Sequence, residues 1–145
     1  MQSKSISYTL VLVQFTCIGL LLYWGLVQVS VVGMMVMAIG MITGIIAVAT
    51  MKLGNFSITP EPIKQAKLVT NGIYAVIRHP MYTAVLLITL PCAIATAQWH
   101  AYLVWLALLA DLIIKLRYEE RMLLARYGEY DEYVKRTKRI VPFIW

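Results

Sequence analysis

VVGMMVMAIGMITGIIAVATM, running from Val31 to Met51, decides the fold of this chain. It carries no charged residue, and an uncharged apolar run of about 20 residues is the length that crosses a bilayer as a helix. Gly40 and Gly44 form a small-xxx-small pair, which lets another helix approach closely; packing within the chain is the expected use. Upstream, Tyr8 to Val27 is a second such run, joined to the first by the short link around Gln28–Ser30. Two spans with so short a connection predict an antiparallel hairpin.

The rest of the chain repeats the arrangement. No charge occurs between Lys4 and Lys52, and none between Arg78 and Asp111. Pro80 or Met81 to about Ala97 reads as a third span, with Pro80 in the first turn and Pro91 inside, where a kink is expected. Trp99 to about Leu116 reads as a fourth, with Trp99 and Tyr102 in an aromatic belt and the helix continuing into water through Glu119, Leu123 and Leu124 until Gly128. Hydrophobic residues make up 61% of the chain and the mean hydropathy is +0.74, well above a soluble domain. A cleaved signal peptide is not expected, because the first apolar stretch leads straight into another. The expected fold is therefore an all-α integral membrane bundle. It forms a single domain over residues 1–145, with four transmembrane helices in two hairpins, a polar loop and an amphipathic C-terminal helix.

The net charge is +6. Lysines and arginines gather at the N-terminus, in the middle segment and in the tail, while both short connections lack them. An even number of spans puts all the basic segments on one side, the cytoplasm by the positive-inside rule. Nucleic acid is not the expected partner of a short basic tail beside a membrane helix. Cys17 and Cys92 lie in apolar helices without metal-ligand spacing, and His79 and His100 fall at opposite ends of the predicted bundle, so no metal site is expected.

The segment from Lys52 to Ile77 is long for a connection, holds Pro60 and Pro62, and turns at Asn71-Gly72. It leads into Arg78-His79-Pro80-Met81-Tyr82, placing an Arg-His-Pro element at a helix start. Unpaired N–H groups and a partial positive charge there suit a carboxylate or phosphate. An ordinary cytoplasmic flank is the plainer reading of Arg78 and His79 alone. In the last apolar helix Asp111, Lys115 and Glu119 are each four apart, followed by Glu120, with Arg117 and Arg121 nearby. The ladder either neutralises itself or serves a site. Asp111 lies deepest and needs a partner or a water-filled cavity. The tail from Glu129 to Arg139 is basic and amphipathic, with Tyr130 and Tyr133 on one face, and suits the headgroup layer. The apolar end, Ile140 to Trp145, is suited to tuck against the loop.

In order, Leu68-Val-Thr-Asn-Gly-Ile-Tyr74, Arg78-His-Pro-Met-Tyr82, Glu119-Glu120, Tyr127-Gly-Glu-Tyr-Asp-Glu-Tyr133 and Val141-Pro142 resemble the isoprenylcysteine carboxyl methyltransferase family, within the wider group of integral membrane methyltransferases that includes phospholipid N-methyltransferases. The resemblance covers about the last 80 residues. It implies S-adenosylmethionine as methyl donor. It also implies cofactor contacts at Lys67, Leu68, Val69, Tyr74, Arg78, His79, Pro80, Met81, Tyr82 and Glu119, with the catalytic group drawn from Lys115, Arg117, Glu119 and Glu120. Two positions depart from the pattern: Ala66 stands where members with prenylated substrates often have His, and Lys115 where Arg is common. A point charge is not equivalent to a bidentate fork.

The implied reaction asks for in-line positioning and exclusion of water. Lys115 or Arg117 would pair with an acceptor carboxylate, and Glu120 would serve as base if the acceptor were an amine. The expected partners are membrane lipids and a lipophilic methyl acceptor, prenylated cysteine-like or lipid, with no metal. The expected location is a bacterial inner membrane, as a multi-pass protein whose charge distribution puts both termini in the cytoplasm. The alternatives are phospholipid amine N-methylation and a non-enzymatic scaffold that keeps the fold; a membrane reductase is more remote, since no nicotinamide-binding pattern occurs.

Overall fold

The structure, a computed structural model, describes residues 4–51 and 68–141. The expected contact Lys67, the neighbouring Ala66, the prolines at 60 and 62, and Pro142 lie outside them. Among the described residues five α-helices follow in order: α1 (Lys4–Gly25), α2 (Val31–Met51), α3 (Pro80–Thr96), α4 (Trp99–Arg126) and α5 (Tyr130–Arg136). Short 3-10 turns occupy Leu26–Gln28 and Gly72–Ala75. Among the described residues there is no named strand, only an isolated parallel bridge between Ile77 and Lys138.

Among the described residues three helical stretches are long and apolar enough to cross a membrane: Ser5–Gln28, Val31–Met51 and Trp99–Arg126. The remaining apolar helix, α3, has 17 residues. At 1.5 Å per residue it covers about 26 Å, short of a hydrocarbon core about 30 Å thick. The expected count of four spans thus stands at three by length, with α3 the shorter apolar partner packed among them. Pro91 lies within α3, which runs on to Thr96. The 28 residues of α4 reach about 42 Å, so its charged last turns extend beyond the apolar layer.

Among α1 to α4, helices that follow one another in the chain run antiparallel, as do α1 and α4. Trp24 near the end of α1 meets His100 near the start of α4, with ring centroids 4.8 Å apart. The end of α2 lies beside the turn before α3, where the Tyr74 hydroxyl approaches Met51 Sδ at 3.9 Å. The end of α4 faces the start of α3. The helix ends that border the charged segments therefore gather at one end of the bundle.

Leu21 of α1, Leu86, Cys92 and Ala93 of α3, and Ala101, Leu108, Leu112 and Leu116 of α4 make the core. On α4 the buried apolar positions recur at helical spacing, and Asp111 and Lys115 fall on that same inward face. The outward faces of α1 and α2 carry Leu12, Phe15, Met35, Ile42 and Ile45. Lipid, not water, is the fitting surround for so large an apolar exterior. In lipid, helices associate by close packing rather than by a hydrophobic effect between them. Gly40 supplies that closeness: a Cβ there would stand 2.9 Å from Leu87 Cβ and 3.1 Å from the Ala84 carbonyl oxygen. The small-xxx-small pair thus serves contact between α2 and α3.

The tail packs onto the protein. It folds back over the charged end of the bundle, burying Tyr130 and Tyr133. The chain after α5 then runs beside the segment before α3. Arg78 N–H donates to the Lys138 carbonyl at 2.7 Å, His79 N–H to that of Arg139 at 3.0 Å, and Lys138 N–H to that of Val76 at 3.1 Å. The Thr83 hydroxyl donates to the Ile140 carbonyl at 2.7 Å. Backbone groups that a lone amphipathic helix would leave to water are thereby paired within the protein.

Candidate active site

The turn before α3 begins at Gly72, whose φ of 59° is a conformation that favours glycine. It delivers Tyr74 into the interior, 4% exposed. The Tyr133 hydroxyl donates to the Tyr74 carbonyl at 2.6 Å and ties the turn to α5. Burial is the first cause that pushes the Tyr133 phenol up to about 12. The nearby Glu120 charge adds to the rise, and the Arg78 guanidinium opposes it. Tyr74 and Tyr130 are raised as well, burial again the largest cause. All three phenols are neutral near pH 7, and the Tyr130 hydroxyl is buried without a hydrogen-bond partner among the described residues.

Arg78 is the anchor of the site. Its Nε donates to Glu120 Oε1 at 2.8 Å, and its Nη1 donates to the carbonyls of Val134 at 3.1 Å and Thr137 at 2.5 Å. Arg139 Nε donates to Glu120 Oε2 at 3.0 Å. One buried carboxylate therefore joins α4, the start of α3 and the tail through two guanidiniums. Charged pairs with good geometry and satisfied neighbours are the kind that hold in an interior.

His79 sits beside this anchor, 6% exposed. Its ring stacks on Tyr82 with centroids 5.3 Å apart and planes 2° from parallel. Its Nδ1 is 3.6 Å from Glu119 Oε2 and its Nε2 is 3.5 Å from Glu120 Oε1, both longer than a hydrogen bond. His79 Nε2 is buried without a hydrogen-bond partner among the described residues. Glu119 is more open than Glu120 and receives the Tyr82 hydroxyl at 3.1 Å. Lys115, one turn deeper on α4, lies 5.9 Å from the Tyr82 ring centre and donates to Gln14 Oε1 of α1.

The structure thus gathers Tyr74, Arg78, His79, Pro80, Tyr82, Lys115, Glu119 and Glu120 at one end of the bundle. Met81 is half-buried in the first turn of α3 and Leu68 and Val69 are half-buried before the turn. Arg117 is exposed, outside the cluster. Three members were not singled out from the sequence: Arg139, Thr137 and Gln14. Arg139 stood close to the Val141-Pro142 element, and Gln14 was the one amide between Ser7 and Trp24, a signal that its isolation in an apolar helix could have given. The arrangement holds two different carboxylates: Glu120, consumed by cations, and Glu119, with acceptor capacity to spare.

Among curated proteins compared with this chain, none matches it. The phospholipid methyltransferase family, a group of membrane methyltransferases that takes in the isoprenylcysteine carboxyl methyltransferase-like proteins, matches residues 27–130, from the start of the first hairpin link to the start of α5. That stretch includes every gathered residue except Gln14 and the tail partners, and the chain belongs to the phospholipid methyltransferase family.

Proposed function

We propose that this protein transfers a methyl group from S-adenosylmethionine to a lipid-like acceptor at the cytosolic boundary of the membrane, with four helices in two hairpins and both termini cytoplasmic. The observation that carries the reading is the set His79, Tyr82 and Glu119. A buried ring nitrogen with no hydrogen bond, 3.5 Å from Glu120 Oε1, an aromatic stack and a half-open carboxylate lie together at the polar end of an apolar bundle. These groups fit the donor. Glu119 suits its ammonium, the start of α3 and His79 suit its carboxylate, and the Tyr82 and His79 rings suit its cationic or aromatic parts. Tyr74 closes the site from the loop, and Leu68, Val69, Pro80 and Met81 supply apolar walls. Bound S-adenosylmethionine supplies a methyl group already activated on a sulfonium.

The chain's own residues then have little covalent chemistry to do. Arg78 and Glu120 hold the start of α3, the end of α4 and the tail in one register, which fixes the approach line of donor and acceptor. The tail strap over His79 limits access of water, which would otherwise solvate the nucleophile. Lys115, facing inward, anchors an anionic group of the acceptor. Carboxyl O-methylation asks least of the side chains, because a carboxylate is already a nucleophile. Amine N-methylation is the second reading. The unpartnered Asp111 favours it, and Glu119 rather than the doubly paired Glu120 is then the base.

The test is calorimetric titration of the purified protein in lipid nanodiscs with S-adenosylmethionine, then incubation with labelled donor and membrane lipid extract. Saturable binding that falls at least about tenfold in Glu119→Gln is the expected result. No heat of binding in the wild type would sink the reading. Base-labile label in the product marks an ester, and base-stable label marks an amine.

A further inference from the structure

One face of α4 points away from the bundle along its apolar length. Leu103, Leu106 and Ile114 are exposed there, and at helical spacing the same face runs on through Arg117 and Arg121 to Leu124, all exposed. Neither guanidinium has an ion pair or a side-chain hydrogen bond among the described residues. The carboxylates next to them in sequence are turned elsewhere: Glu119 receives the Tyr82 hydroxyl, and Glu120 is held by Arg78 and Arg139. Like charges four residues apart on one helix face repel. The exposed cations of α5 are matched, Lys135 with Asp131 at 2.8 Å and Arg136 with Glu132 at 3.6 Å. Arg117 and Arg121 lack the counter-charge that those cations have.

Their place along the helix says what supplies it. From Leu106 to Arg117 the helix rises about 16 Å at 1.5 Å per residue. That is close to one leaflet's share of a hydrocarbon core about 30 Å thick. An acyl chain lying along Leu106 and Ile114 brings its phosphate level with the two guanidiniums. Each planar fork can donate two parallel bonds to phosphate oxygens, and two forks one turn apart flank a single phosphodiester.

We propose that the outward stripe of α4 docks one anionic phospholipid, its acyl chain along Leu106 and Ile114 and its phosphodiester between Arg117 and Arg121. The stripe carries no carboxylate, so a headgroup with its own ammonium would bring a third cation to the pair. A headgroup without a cation, such as that of phosphatidylglycerol, fits. The stripe lies on the side of α4 away from Glu119, so this lipid is held and not methylated, and the site stands apart from the methyl-transfer reading. Bound there, the lipid fixes the depth at which the charged end of α4 leaves the apolar layer, and with it the height of Glu119 and Glu120.

The experiment uses the full chain in nanodiscs that mix phosphatidylglycerol with acyl-matched phosphatidylethanolamine, without methyl donor. Retained lipid is measured by native mass spectrometry for wild type, for Arg117→Gln with Arg121→Gln, and for Lys135→Gln with Lys138→Gln, which removes the same charge from exposed tail positions. The attraction of two cations to an anionic surface corresponds to about thirtyfold in affinity. Wild type should retain phosphatidylglycerol preferentially. The arginine pair variant should lose that preference at least about tenfold with its ethanolamine lipid unchanged, and the lysine pair variant should keep it. Equal preference in wild type and the arginine variant would overturn the proposal. So would an equal loss in the lysine variant, which would mark diffuse surface charge, or an equal loss of both lipids in the arginine variant, which would mark contact with phosphate alone.

Folding is checked by the melting temperature. In lipid-free micelles the arginine variant should melt no lower than wild type, since a repulsion has been removed. A lower value would show that the arginines have partners within the protein and would overturn the proposal. Added phosphatidylglycerol should raise the melting temperature of wild type and not of the arginine variant.

Discussion

Removing the Glu120 side chain tests whether the site and the tail are one mechanical unit. In Glu120→Ala the Arg78 guanidinium, 5% exposed, loses its only carboxylate among the described residues. Breaking a buried ion pair from one side costs about 3–5 kcal/mol. Arg78 keeps the carbonyls of Val134 and Thr137 and the Thr137 hydroxyl at 3.2 Å, which places the loss at the lower end, about 3 kcal/mol. Arg139 is 32% exposed and re-solvates, adding no more than about 1 kcal/mol. The assay is a double-mutant cycle of Glu120→Ala with Arg78→Met, read by reversible unfolding in mixed micelles. Once Arg78 is gone, removing Glu120 takes away its bond to the half-exposed Arg139 and its approach to His79 but leaves no buried guanidinium behind, so the double variant should be less damaged than the sum by at least about 1.5 kcal/mol. Limited proteolysis should cut the tail after Arg126 faster in either single variant. Additive losses within about 0.5 kcal/mol, with the tail still protected, would refute the argument that one carboxylate ties α3, α4 and the tail.

The Tyr133–Tyr74 tie predicts alkaline sensitivity. The folded phenol titrates near 12 against an ordinary value of about 10, so its contribution is complete below pH 10 and is lost as pH rises towards 12. Absorbance at the phenolate band, followed with tail proteolysis, should show both changes together. Tyr133→Phe should remove that coupling and cost about 1 kcal/mol at neutral pH. Gly40→Val should overpack α2 against α3 and destabilise by about 1–3 kcal/mol in the same unfolding assay, without altering donor affinity in the part that remains folded. Arg117→Ala, at an exposed position on α4, should change stability by no more than about 0.5 kcal/mol.

Hydropathy carried the long elements because lipid imposes them: the run Val31–Met51 is α2 to the residue, and the run that begins at Trp99 is α4 from its first turn. The tail was less legible. Its period disclosed an apolar face with Tyr130 and Tyr133, but a period cannot say whether lipid or protein covers that face. The pairing of Arg139 with Glu120 and of Arg78 with Thr137 depends on chain reversal over distances that no local pattern encodes. The charged ladder on α4 shows why local spacing misleads here. Asp111, Lys115 and Glu119, each four apart, read equally as a row that neutralises itself or as part of a site. In the fold the row is broken across the bundle: Lys115 goes to Gln14 of α1, Glu119 to Tyr82 of α3, and Asp111 to neither. A self-neutralised row would have left α1 and α3 free to pack by shape alone. A broken one makes their placement depend on polar contacts. The residues that set the bundle's register are then the same residues that are left with capacity for a ligand.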